Sequence, residues 1–360
     1  MLKNVNEDLK KLVTPFWLSD IMYNESTSMI TREDGVTSAR LLFVPEEIIS
    51  VRDVTLQKEF VPGKDYTWQK GTNIITLAEG SQIPFFTYND IHGRKEDGEY
   101  LEAFPATDDK GRSRFNDALF CTNKFLYEKH IAVTYRFLPG SYKGTVPAYQ
   151  PDKLTNCLAK LTSEKKLKVV FFGDSIYTGC DASGMYNRPP YQPILSELVK
   201  NTIEQYFGAE VEMHMTAVGG KTSSWGAETR YENCADYCPD LVVMSFGMND
   251  GQNDPDSVRK NMESIINATR EKSPSCNFIV TSCMVANKDA GFLMRQAEYA
   301  TAFSQIPDVA FADVFGMHEE ILKEKDFISM SGNNVNHPND WLARIYAMNI
   351  LSCLIQNCTE

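Results

Sequence analysis

The sequence is short of everything that would tie it to a charged polymer, a membrane or a metal. Lys and Arg number 36 against 48 Asp and Glu, and the net charge of −12 leaves no basic face for a phosphate backbone, so nucleic acid and anionic membrane surfaces are excluded as partners. No apolar run approaches the roughly 18 residues of a membrane span. The opening "MLKNVNEDLKKLVTPFW" has no apolar stretch of the kind a secretory signal needs, which predicts a soluble, cytoplasmic protein. Histidine occurs only five times. Cys234 and Cys238 in "NCADYCPD" have no second Cys or His pair at ligand spacing, so no metal is expected. The nine cysteines are odd in number and several sit in apolar runs, which suits buried thiols in a reducing compartment. Repeats and low-complexity tracts are missing too, and no organic cofactor is implied. The sequence leaves the oligomeric state open.

What is present divides into two halves of different period. Residues 36–145 carry short alternating runs and turn signals. "IAVTYRF" places Ile131, Val133, Tyr135 and Phe137 on one face, and "DYTWQKGTNIITL" reads as two strands around Lys70-Gly71. This pattern predicts an antiparallel, jelly-roll-like β-sandwich domain over 1–148. From about Gln150 the pattern alternates. Strands are predicted at "KVVFFG", "AEVEMHM", "DLVVMSFG", "CNFIVTS" and "DVAFADV", with helices between them near 255–272 and 289–305 and a last helix from near Pro338. Alternating β and α elements require crossovers, hence a mostly parallel three-layer α/β/α domain over 149–360. Met213, Met215, Met244 and Met262 fall on packing faces of this half.

Parallel sheets bind ligands beyond the carboxyl ends of their strands. There the first strand delivers Gly173-Asp174-Ser175, the second is followed by "AVGGKTSSWG", the third by "FGMND", and "NNVNHPND" precedes the last helix. Ser175 at a strand-to-helix turn has the position of a nucleophile, with its own N–H and a helix N-terminus facing developing negative charge. Gly220 brings a bare N–H, Asn249 a side-chain amide, and His337 a general base. Asp174 reads as a loop-bracing residue. His92, His130, His214 and His318 read as surface or core residues.

These four segments resemble the four sequence blocks of the SGNH (GDSL-type) hydrolase superfamily, in the family's order and over about 165 residues. The resemblance implies a flavodoxin-like hydrolase domain with Ser175 as nucleophile, His337 as base, and an oxyanion hole from Ser175, Gly220 and Asn249. A β-sandwich ahead of such a domain resembles the layout of two-domain carbohydrate esterases, implying hydrolysis of short acyl esters, O-acetyl sugars above all. Lipid esters and thioesters lie within the same chemistry. Most of the superfamily has Asp three residues before the base, where this chain has Asn334. In a serine protease such an exchange costs about 10⁴ in turnover. Either Asn334 or a main-chain carbonyl orients His337, or an acid displaced to Asp340 or Asp250 does so, or the domain is degenerate and the protein binds glycan. Tyr177 and Trp225 are candidate walls of the acyl pocket, or core residues.

Overall fold

Period-2 runs with apolar inward positions build the first unit: Ile131, Val133, Tyr135 and Phe137 are all buried on one strand. In the computed structural model, which describes residues 2, 4–291 and 295–356, the chain opens on helix α1 (Glu7–Val13). Strands β1 (Ile21–Thr31), β2 (Thr37–Arg40), β3 (Pro45–Asp53), β4 (Glu59–Phe60), β5 (Tyr66–Trp68), β6 (Ile74–Leu77) and β7 (Phe85–Phe86) follow. Helix α2 (Tyr88–Ile91), the hairpin β8 (Ser113–Phe115) and β9 (Ala118–Phe120), and helix α3 (Lys124–Tyr127) come before β10 (His130–Phe137). The sheet runs β4-β3-β10-β1-β2-β6-β5, with β7 added parallel to β1. The first half of β1 pairs with β10 and its end with β2, so the two faces of the expected sandwich are joined through one strand into a nearly barrel-shaped sheet. The expected hairpin forms between β5 and β6, with Gly71 at φ +90° in its turn.

The second half contains β11 (Lys166–Gly173), β12 (Glu210–Met215), β13 (Leu241–Ser245), β14 (Asn277–Thr281) and β15 (Ala310–Ala312), all parallel, in the order β12-β11-β13-β14-β15. Its helices are α4 (Thr155–Ala159), α5 (Leu195–Phe207), α6 (Ser223–Glu228), α7 (Pro255–Lys272), α8 (Gln296–Ser304), α9 (Val314–Ile321) and α10 (Asp340–Leu354). Side-chain alternation sorts the sheet into two cores: Val169 and Phe171 face the layer of α5 and α10, while Val170 and Phe172 face α7 and α8. Asp254 caps α7 by accepting from the Ser257 N–H, with Pro255 in the first turn. Met244 and Met262 are buried in the α7 core, and Met213 and Met215 pack at the edge of the other.

One expectation about organisation shifts. Helix α1 lies before β1 yet buries Leu9 and Val13 against α5 and α10, so the start of the chain packs with the α/β layer.

The two halves are pinned by buried polar contacts. Lys325 Nζ and Glu25 Oε1 form an ion pair with both side chains fully buried. Glu25 also accepts from the Leu42 N–H at 2.9 Å and the Tyr135 hydroxyl, while Lys325 donates to the Arg40 carbonyl at 3.2 Å. His130 donates from Nε2 to the Ile328 carbonyl at 2.8 Å, and burial pushes its pKa down to about 4, so it stays neutral. Removing one member of a buried pair strands the other charge. Lys325→Met is therefore expected to destabilise the protein by about 3–5 kcal/mol in denaturant unfolding, with Glu25→Gln in the same chain restoring part of the loss; a Lys325→Met protein as stable as wild type would contradict this.

Candidate active site

The site forms on the rim where β11, β12 and β13 end. β11 ends at Gly173, a position that admits no side chain, since a Cβ there would lie 2.5 Å from the Ser245 carbonyl oxygen and 2.7 Å from the Tyr177 ring. The chain then enters consecutive turns rather than the helix expected after Ser175. The Ile176 carbonyl accepts from Gly179 N–H and the Ser175 carbonyl from Cys180 N–H, Gly179 and Asp181 take positive φ, and α5 begins only at Leu195. A helix N-terminus is therefore not what faces Ser175. Asp174 braces this turn, accepting from the Ile176 N–H at 3.0 Å.

His337 meets Ser175, with Nε2 2.9 Å from Ser175 Oγ. The third position is filled from an unexpected place. Asp181 Oδ2 lies 2.6 Å from His337 Nδ1, and Asp181 is only 3% exposed. Its main-chain carbonyl accepts from Arg188 Nη2 at 3.1 Å. The approach depends on Gly332, where an added Cβ would sit 2.4 Å from Asp181 Cβ.

None of the expected orienters of His337 serves. Asn334 points away, donating from Nδ2 to the Leu119 carbonyl at 3.1 Å and taking φ +63°, a conformation Asn tolerates. A carboxylate has no proton to donate there, which accounts for the departure from the usual Asp. Asp340 opens α10, with Oδ1 accepting from the Ser183 N–H at 2.8 Å. Asp250 accepts from the Ser223 N–H and hydroxyl and from the Gly247 N–H, tying the β12 loop to the β13 loop.

His337 is held from its main chain. Asn333 Oδ1 accepts from the N–H groups of Val335, Asn336 and His337, and the His337 carbonyl accepts from Gly332 N–H and Ser331 Oγ. The first unit supports the same loop, since Cys121 N–H donates to the Asn333 carbonyl, and it also touches the turn after β14, where Asp117 N–H donates to the Asp289 carbonyl.

The oxyanion candidates converge on the same rim. Asn249 Nδ2 donates to the Lys221 carbonyl at 3.1 Å and lies 3.5 Å from Asp174 Oδ2, so its amide is held between the β11 and β12 loops. Gly219 passes close to Ser175, since a methyl group on it would lie 3.8 Å from Ser175 Cβ, and Gly220 follows at φ +75°. One aromatic candidate is displaced. Tyr177 is completely buried beneath the sheet end, its hydroxyl 2.8 Å from Thr281 Oγ1, and it lines core rather than pocket. Trp225 is half-buried against Phe172, with Lys221 Nζ over its ring. His130 and His318 are core residues, and His214 pairs at the surface with Glu212.

Among the described residues no group of three or more His, Cys, Asp or Glu could hold a metal ion, and no helix is long and apolar enough to cross a membrane. Cys234 is buried beside Thr269 and Cys238 is exposed.

Residues 171–345, which hold all four blocks, match the model of the GDSL-like Lipase/Acylhydrolase family. The matched stretch lies within the α/β half of the chain. No curated protein matches the chain in sequence. Among solved structures, a two-domain esterase active on acetylated mannans is 15% identical, with 60% of this chain and 56% of that one covered and a TM-score of 0.49. An acetylxylan esterase from Geobacillus stearothermophilus is 16% identical, covering 53% of this chain and 94% of that one at a TM-score of 0.42. The match thus spans just over half of the two-domain esterase. The acid beside His337 comes from the turns that follow Ser175.

Asp174 offers a test of how closed this rim is. Burial raises its carboxyl from 3.8 to about 6, so the folded chain binds this proton more tightly than the unfolded chain. That contribution to stability is complete at low pH and is lost as pH rises through about 6, a change of roughly 3 kcal/mol. Asp174→Asn has no such loss, so its stability relative to wild type should improve between about pH 4 and 7 in urea unfolding; a difference independent of pH would contradict the burial.

Proposed function

We propose that the protein is a serine esterase that hydrolyses short-chain acyl esters, O-acetyl groups on carbohydrate being the substrate class. The observation that carries this reading is the line of contacts from Ser175 Oγ through both nitrogens of His337 to Asp181 Oδ2. His337 Nε2 takes the Ser175 proton as Oγ attacks the ester carbonyl. The imidazolium that forms is stabilised by the Asp181 carboxylate, which also fixes the tautomer by accepting from Nδ1–H. Developing negative charge on the carbonyl oxygen is met by the N–H groups of Ser175 and Gly220 and by the Asn249 amide. His337 then protonates the leaving alcohol, and water, activated by the same base, releases the acid from Ser175. No cofactor enters this scheme.

The carbohydrate part rests on the two-domain layout and on the net charge of −12, which disfavours polyanionic substrates. The free state of the eight described cysteines fits the cytoplasmic address expected from the sequence. A glycan-binding protein with a degenerate domain is the weaker reading, because the carboxylate missing at Asn334 is supplied by Asp181.

With 4-nitrophenyl acetate, Ser175→Ala should fall to background, and Asp181→Asn should lose about 10²- to 10⁴-fold in kcat. Asp340→Asn should stay within a few-fold of wild type. Loss in Asp340→Asn with Asp181→Asn spared would contradict the assignment. Acetate release from acetylated manno- or xylo-oligosaccharides should exceed cleavage of 4-nitrophenyl palmitate; the reverse order would overturn the substrate class.

A further inference from the structure

A cavity of about 190 Å³ lies between the two halves of the molecule, and Asp181 is part of its wall while Ser175 is not. Three of its lining residues carry buried donors with no hydrogen-bond partner among the described residues: Tyr127 Oη, Arg188 Nε and Arg344 Nε. Such groups cost stability when left unmade, and three around one space are the complement of an acceptor that is not part of the protein.

The charge balance narrows the acceptor. Arg344 is 3% exposed and donates only to the main-chain carbonyls of Tyr23 and Asn24, and burial pushes its pKa down to about 10. Arg188 donates to the Asp181 carbonyl, and its guanidinium lies 3.8 Å from the Tyr127 ring centre. Neither guanidinium has a carboxylate within ion-pair distance among the described residues. Of the two acids on the wall, Asp181 pairs with His337, and Asp340 accepts from the Ser183 N–H and acts on both guanidiniums from beyond ion-pair distance. Leu12, Leu126 and Trp341 give the wall an apolar side, while Ser26, Gln192 and Asn339 are among its neutral polar groups. Exposed Tyr191 belongs to the wall as well, so the cavity reaches the surface.

We propose that this interdomain cavity is a binding site for a small organic carboxylate, its anionic end on Arg188, Arg344 and Tyr127 and its short carbon body against the apolar wall. The guanidinium fork suits a carboxylate, and the volume suits a body of a few carbons. The cavity shares Asp181 with the ester-hydrolysing rim, but its occupancy is read at equilibrium without turnover, so it is tested independently of the proposed activity.

Isothermal titration of the full chain with propionate and with the neutral isostere propionamide tests it. Propionate should bind at one saturable site and propionamide at least about ten-fold more weakly. Arg188→Gln should weaken propionate about ten-fold or more, and Asn249→Ala, which alters the oxyanion side, should leave it unchanged. If Arg188→Gln fails to fold by circular dichroism, Tyr127→Phe replaces it, with a smaller loss expected. No saturable propionate binding, equal binding of the amide, or loss of binding in Asn249→Ala would each overturn the proposal.

Discussion

Everything on the strand-end rim is arranged around one imidazole held at both nitrogens. His337 meets a hydroxyl on one side at 2.9 Å and a buried carboxylate on the other at 2.6 Å. A ring so held has one tautomer and one orientation, which a general base needs before its basicity matters. The neighbouring features serve that placement: Asn333 gathers three N–H groups of the loop, Gly332 lets Asp181 approach, and Asp250 locks two of the other strand-end loops together.

The first unit is part of this machinery through the histidine loop. Asn334 is the joint: its amide donates to Leu119 of the β9 strand, while Asn287 donates to its carbonyl. Deeper in, the Glu25–Lys325 pair and the His130–Ile328 contact fix β1 and β10 against the segment leading to Gly332. Buried polar contacts of this kind demand one geometry, since a small displacement leaves charges unpaired.

Much of the architecture could be read from residue pattern. The alternation of β and α segments after Gln150 gave the strands and their parallel arrangement; the blocks at Ser175, Gly220 and Asn249 fall on the strand ends that alternation implies, and His337 lies in the loop before α10. The acid could not be read. Asp181 lies six positions past Ser175 in "YTGCDASG", and its approach to His337 depends on the left-handed turns at Gly179 and Asp181 and on a bare Gly332 across the gap. Local spacing instead drew attention to Asn334 and Asp340, which are near His337 in sequence but point elsewhere. Tyr177 misled for a related reason: period alone does not tell an aromatic that lines a pocket from one that fills the sheet end beneath it. The aborted helix after Ser175 depends on the same turn chemistry, which a strand-then-helix reading passes over.

The central claim is that Asp181 holds the Nδ1 proton of His337, and proton NMR of histidine-¹⁵N-labelled protein reads that proton directly. A strongly deshielded Nδ1–H resonance should be present in wild type and in Asp340→Asn, and be lost or shifted far upfield in Asp181→Ala with the fold intact. The same resonance persisting in Asp181→Ala would show that another group orients the base.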